Sequence, residues 1–216
     1  MNVDMVSYYK DRAEEYEKIY SKPERQEDLK NATEILQTIF KGKSVLEIAC
    51  GTGYWTERIA QGAASIFAKD INETVIDVAK RKSILNTQVS FGVTDIYNFS
   101  SLDKYESLFG GFIWSHIKLQ DIKKFLFNVN NLVYPGGTVV FIDNNFVEGS
   151  NLPITNTDGK GNTFQTRKLE DGTTHLVLKN FPKEIVLRHK LKNIATEVRI
   201  INLTYFWILC YTTRIL

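Results

Sequence analysis

The chain has 216 residues, 43% of them hydrophobic and 24% charged, with 27 basic side chains against 25 acidic for a net charge of +2. These proportions exclude a disordered or collagen-like chain and suffice for one large buried core, so a single domain over 1–216 is expected. The near-neutral balance, with no broad basic footprint, leaves no expectation of a nucleic-acid partner; the densest cationic stretch, 179–192, reads as the wet face of a helix. The two cysteines, Cys50 and Cys210, are too few for a disulfide framework and lack CxxC spacing. With a charged N-terminal stretch that has no apolar signal core, they imply free thiols and a cytoplasmic location. The apolar run near Ile200 is broken by Asn202 and Thr204 and is too short to span a membrane.

In chain order, residues 5–20 carry Tyr8, Tyr9, Arg12, Tyr16, Ile19 and Tyr20 at helical spacing, up to Pro23. Leu29, Ala32, Leu36 and Phe40 mark an amphipathic helix over 24–40, and Gly42 stops it. Short apolar runs then alternate with helical patterns: strand 44–49, helix 56–60, strand 65–70, helix 73–81, strand 89–93, strand 111–115, helix 122–132, a turn at Pro135-Gly136-Gly137, and strand 138–142. That alternation predicts an α/β fold with a mainly parallel sheet. Beyond it, 164–167 and 175–178 form a hairpin across Asp171-Gly172, 183–193 is helical, and the β-branched and aromatic stretch 197–213 is one long strand or an antiparallel pair.

The most informative segment is Val45-Leu46-Glu47-Ile48-Ala49-Cys50-Gly51-Thr52-Gly53: a strand, a glycine turn and the start of a helix. Gly51 and Gly53, lacking Cβ, let the backbone approach a ligand at the carboxyl edge of the sheet. A dinucleotide fingerprint is not met, because position 56 is Thr56. Glu47 would also repel a pyrophosphate, whereas it suits a cationic ligand such as S-adenosylmethionine, which carries an ammonium and a sulfonium and no phosphate.

Glu47-Ile48-Ala49-Cys50-Gly51-Thr52-Gly53 resembles motif I of the class I S-adenosylmethionine-dependent methyltransferases, with Ala49 standing at the first glycine. The resemblance runs through roughly 30–145, and the Tyr8-Tyr9 and Val147–Pro153 regions look like a bacterial small-molecule branch of that family. It implies a Rossmann-like three-layer sandwich: a mainly parallel seven-stranded sheet with an antiparallel C-terminal strand and an N-terminal helical lid. In that plan 1–40 is the lid, 44–145 the cofactor-binding core, 148–182 an insertion near the substrate pocket, and 183–216 the closing helix and strands. The cofactor would be S-adenosylmethionine, with S-adenosylhomocysteine as product. Its expected contacts are Glu47, Ala49, Cys50, Gly51, Thr52 and Gly53 in the first loop; Asp70 on the ribose hydroxyls with Ile71 on adenine and Asn72 beside them; Thr94, Asp95 on the adenine amino group and Ile96 along the ring; and Ser115.

By the same resemblance, the tip of the fourth strand, Trp114-Ser115-His116, faces the methyl group. His116 is placed to act as general base, since imidazole titrates near neutrality. Tyr8, Tyr9 and Arg12 on the lid are the expected substrate contacts, Arg12 suiting an anionic one. Asp143-Asn144-Asn145 offers only one carboxylate, so no metal is expected. The partner is a small-molecule acceptor methylated on O, N or S, the protein acting as monomer or homodimer. The alternatives are an NAD(P)-dependent oxidoreductase, which Glu47 and Thr56 oppose, and a non-catalytic S-adenosylmethionine-binding protein. A protein or RNA methyltransferase is disfavoured by the small net charge.

Overall fold

Val45, Leu46, Glu47 and Ile48 leave no exposed face, and Ser44–Ile48 (β1) accordingly lies inside the sheet, covered on both sides. The computed structural model describes residues 3–84, 88–96, 99 and 104–214. Around β1 run Ser65–Asp70 (β2), Gln88–Val93 (β3), Tyr105–Gly111 (β4) and Val133–Asn144 (β5), all parallel. Ala195–Asn202 (β9) and Phe206–Thr213 (β10) complete a seven-stranded sheet of order β3-β2-β1-β4-β5-β10-β9, in which β10 is antiparallel to both neighbours. The order reverses between β1 and β4, the switch point at whose carboxyl edge ligands bind in such sheets.

Two helical layers cover the sheet. Gln26–Phe40 (α2), Tyr54–Ile59 (α3) and Glu73–Lys80 (α4) bury Leu36, Phe40, Trp55 and Ile76 on the face that carries Val45 and Phe109. Ile122–Asn131 (α5) and Glu184–Leu191 (α6) bury Phe125, Val129 and Leu187 on the face that carries Leu46 and Ile48. The expected three-layer α/β sandwich is the observed one. Asn156–Thr157 (β6), Thr163–Lys168 (β7) and Thr174–Leu178 (β8) form a separate three-stranded antiparallel sheet, which contains the expected hairpin. The N-terminal helix Val3–Asp11 (α1) packs on it, Tyr8 against Leu169 and Val177.

Several expectations need correction. The fourth strand is Tyr105–Gly111, not 111–115. A Cβ on Gly110 would stand 2.8 Å from the Phe141 ring and one on Gly111 would stand 2.9 Å from Trp55. The glycine pair is therefore a tight packing point that ends the strand rather than punctuation before it. The chain then leaves the sheet at Phe112, whose φ is +56°, and Trp114–His116 closes a single 3-10 turn. The N-terminal helix likewise is not continuous over 5–20. It ends at Asp11, and Ala13–Ser21 is a 3-10 segment, because Tyr8 packs on the small sheet while Tyr20 packs in the main core. Pro135-Gly136-Gly137 is a bulge inside β5, where pairing jumps from Val133 opposite Tyr105 to Thr138 opposite Ser107. No helix among the described residues is long and apolar enough to cross a membrane.

Candidate active site

The loop after β1 turns on three left-handed residues, Ala49, Gly51 and Gly53. Gly51 has φ +54°, and a Cβ there would meet nothing within 4 Å, so the loop opens onto a cavity. Ala49 adopts φ +52°, a conformation that disfavours an L side chain by about 1–2 kcal/mol. Asp70 at the end of β2 accepts hydrogen bonds from the Gly51 N–H and the Asn72 N–H, both at 2.9 Å. Burial raises its carboxyl, and those backbone donors hold it down. Asn72 caps α4, its Oδ1 accepting from the Thr74 N–H at 3.1 Å.

The resulting cavity is lined by Ala49, Gly51, Thr52, Asp70, Ile71 and Asn72, and further by Thr94, Ile96 and Phe99. Glu47, an expected contact, does not itself line the cavity, although its neighbours Leu46 and Ile48 do; it is 1% exposed, and its Oε2 meets no hydrogen-bond partner among the described residues. Burial pushes its carboxyl up to about 8, Thr56 pulls the other way and Asp70 adds to the rise. An unpartnered carboxyl beneath an apolar cleft with an acid at the second strand tip fits a ligand bearing an ammonium, a ribose and a flat ring.

Not every expected contact lines this cavity. Cys50 is buried, which pushes its thiol up, and Gly53 starts α3 with φ +79°. Asp95 is half-buried between the lining residues Thr94 and Ile96. Ser115 departs furthest. It is fully buried, its N–H donates to Asp143 Oδ2 at 2.8 Å, and its hydroxyl accepts from Lys179 Nζ at 2.7 Å. The reason is the early end of β4, which moves Ser115 from the strand tip into the turn behind it.

A second cavity lies between the N-terminal segment, the small sheet and the Ser150 loop. Tyr9, Tyr16, Phe112 and His116 line both cavities and form the throat between them. His116 Nδ1 lies 2.6 Å from the Leu178 carbonyl oxygen. A carbonyl only accepts, so Nδ1 carries the proton, and the Nε2 lone pair accepts from the Tyr9 hydroxyl at 2.7 Å. Burial, then Lys179 and Arg167, push the His116 pKa well below its ordinary value, so the imidazole is neutral.

The second cavity brings in Tyr8, Tyr9 and Arg12, and adds residues that sequence reasoning missed. Lys179 is the clearest: instead of sitting on a wet helix face, it is 3% exposed and pairs with Asp143 at 2.9 Å. Its one signal was position, directly after the apolar run His175-Leu176-Val177-Leu178. Arg25 is 7% exposed and donates to the Ser150 carbonyl and hydroxyl at 3.0 and 2.8 Å. Arg167, on β7, donates to Gln165 Oε1 at 3.1 Å. The N-terminal segment is fastened over the first cavity by Glu17, which accepts from Thr52 at 2.8 Å and pairs with Lys82 at 2.9 Å.

A nucleotide-type cleft at the switch point, with an acid under the first loop and another at the second strand tip, defines a Rossmann-like cofactor-binding protein. Residues 45–137 match the family of methyltransferase domains. Over 184 residues the chain is 26% identical to malonyl-[acyl-carrier protein] O-methyltransferase 2 of Ilyobacter polytropus, covering 80% of this chain and 63% of that protein. Over 114 residues it is 28% identical to a ubiquinone biosynthesis O-methyltransferase of Coxiella burnetii, covering 51% of this chain and 48% of that one. The chain thus spans less than two thirds of these curated relatives. Among solved structures, a DhpI–SAH complex superposes with TM-score 0.81 at 25% identity, over 98% of this chain and 96% of DhpI. A DhpI–SAM–HEP complex gives TM-score 0.79 at 25% identity, over 96% and 95%. Residues 45–137 thus match a methyltransferase domain, and the chain as a whole shares the fold of DhpI, which is seen in complex with SAH and with SAM.

Proposed function

We propose that this protein methylates an oxygen of a small molecule held in the second cavity, with S-adenosylmethionine in the first. The observation that carries the reading is the shared throat of Tyr9, Tyr16, Phe112 and His116, the one wall through which the two cavities meet among the described residues. Oxygen is favoured because both curated relatives are named as O-methyltransferases.

When bound, S-adenosylmethionine supplies a methyl group activated by its sulfonium charge. Glu47 would meet its ammonium, Asp70 its ribose hydroxyls, and Ile71, Ile96 and Phe99 its base. The gain from this chain is chiefly placement, holding the acceptor in line at the throat. His116 with Tyr9 provides a path for a departing proton: the Tyr9 oxygen receives it as its own proton passes to Nε2. That path ends on an imidazolium beside Lys179 and Arg167, which is a costly place for a positive charge.

The test is incubation with methyl-labelled S-adenosylmethionine and a panel of phenols, alcohols, carboxylates, amines and thiols. Labelled O-methyl product from one acceptor class supports the reading. Label on nitrogen or sulfur alone, or none with any class while the cofactor binds, overturns it.

A further inference from the structure

Six cationic side chains line the second cavity, namely Arg12, Lys22, Arg25, Arg167, Lys168 and Lys179, and no Asp or Glu does among the described residues. The protein as a whole carries a net charge of only +2, so this is a local concentration. Some of that charge is already answered. Lys179 pairs with Asp143, Lys22 lies 4.0 Å from Glu24, and Arg25 is spent on Ser150. Arg12 and Arg167 are different: neither has an ion-pair partner among the described residues.

Those two guanidinium groups converge on one neutral atom. Arg12 Nη1 donates to the Tyr8 hydroxyl at 2.6 Å, and Arg167 Nη1 reaches the same oxygen at 3.4 Å. Their Cζ atoms lie 5.7 and 5.5 Å from the Tyr8 ring centroid. Tyr8 is itself 1% exposed, held by Leu169 and Val177, so the platform that positions both cations is rigid. Arg167 Nε is buried and meets no acceptor among the described residues. Two like charges brought together with a buried donor unsatisfied cost stability, and a bound anion would offset that cost. The planar fork of each guanidinium selects an anion with two or more oxygens, a carboxylate or a phosphoryl group.

On the reading that the second cavity is the acceptor site, we infer that it takes an oxyanion, bound by Arg167 and Arg12 across the Tyr8 hydroxyl. The inference goes beyond Arg12, the one cation here for which an anionic substrate was expected, by assigning the principal contact to Arg167 and the bridge to Tyr8. It also fits the throat, where an acceptor already ionised needs no imidazolium on His116.

The test is calorimetric titration of the protein loaded with S-adenosylhomocysteine, at fixed ionic strength set by chloride, using inorganic phosphate, acetate and, as neutral control, glycerol. Phosphate or acetate is expected to bind and glycerol not; which of the two binds identifies a phosphoryl or a carboxylate site. Arg167→Gln should weaken the bound anion roughly tenfold or more, with S-adenosylhomocysteine affinity unchanged. Should Arg167→Gln not fold, Arg12→Gln, at the end of the half-exposed N-terminal helix, carries the same expectation. Binding of glycerol as tight as that of the anions, no binding of either anion, or anion affinity unaltered by the substitution overturns the inference. Failure of S-adenosylhomocysteine to bind would instead count against the methyltransferase reading, and the anion titration then runs on the cofactor-free protein with the same outcomes.

Discussion

The two cavities are built in opposite ways. The first is largely local: outside the shared throat, much of its lining comes from short stretches at the ends of β1, β2 and β3, Ala49, Gly51 and Thr52, then Asp70, Ile71 and Asn72, then Thr94 and Ile96. It is mostly apolar, with Asp70 the acid on its lining and Glu47 buried behind it. The second is assembled across the chain, from Tyr8 and Arg12, from Arg25 and Ser150, and from Arg167 and Lys179, and its charge is positive. A cofactor common to a whole family can be held by one loop pattern. On the proposed reading, the acceptor is met by residues that the N-terminal segment and the small sheet bring to the throat. On the proposed reading the Glu47 side suits a cation and the Arg167 side an anion, and among the described residues the shared throat joins them.

The largest expected effect lies on the second side. Lys179→Met leaves the fully buried Asp143 without its cation and should destabilise the protein by about 3–5 kcal/mol in chemical denaturation. The double substitution Lys179→Met with Asp143→Leu should recover much of that loss, since both charges are then gone. If Lys179→Met alone is neutral, the pair is not the buried strut inferred here.

On the first side, Gly51→Arg places a long side chain where a Cβ now faces open space, at φ +54°. S-adenosylhomocysteine affinity should fall by roughly a hundredfold or more while circular dichroism shows the fold retained. Retained micromolar binding would move the cofactor elsewhere.

Glu47 sharpens the contrast in sign. Its folded carboxyl titrates near 8, above the unfolded carboxylate range. In the free protein its contribution to stability is therefore fully present below the unfolded value and is lost as pH rises through about 8. Binding runs the other way, because an ammonium needs the ionised form. S-adenosylmethionine affinity should weaken by up to about tenfold per pH unit below 8, and Glu47→Gln should flatten both slopes. Unchanged pH dependence in Glu47→Gln would remove Glu47 from the cofactor site.

The smallest effect is at Ala49. Relief of its left-handed strain, about 1–2 kcal/mol, is offset by the extra freedom glycine has when unfolded, about 0.4–1 kcal/mol. Ala49→Gly should therefore raise stability by roughly 0.5–1 kcal/mol in urea unfolding. A loss would mean that the Ala49 methyl packs usefully against the cavity wall.

The same division explains what the sequence disclosed. β1, β2, β3, α4 and the antiparallel pair at the C-terminus were legible because buried strands read as apolar runs and α4 carries its own cap at Asn72. Gly51 and Asp70, which sit at fixed offsets from those strands, line the first cavity as expected. β4 ends earlier than expected, with Gly110 and Gly111 packed against Phe141 and Trp55 at its end. Ser115 was misassigned with it. Lys179 and Arg167 were opaque for a different reason. Nothing in their neighbourhoods says that Asp143, 36 positions from Lys179, or Tyr8, 159 positions from Arg167, will stand beside them.

The central claim, that the loop after β1 builds a site for S-adenosylmethionine, is tested most directly by calorimetric titration of the purified protein with S-adenosylhomocysteine. One-to-one binding at micromolar affinity is the expected result. No heat of binding from a folded sample shown to be free of carried-over cofactor would contradict it.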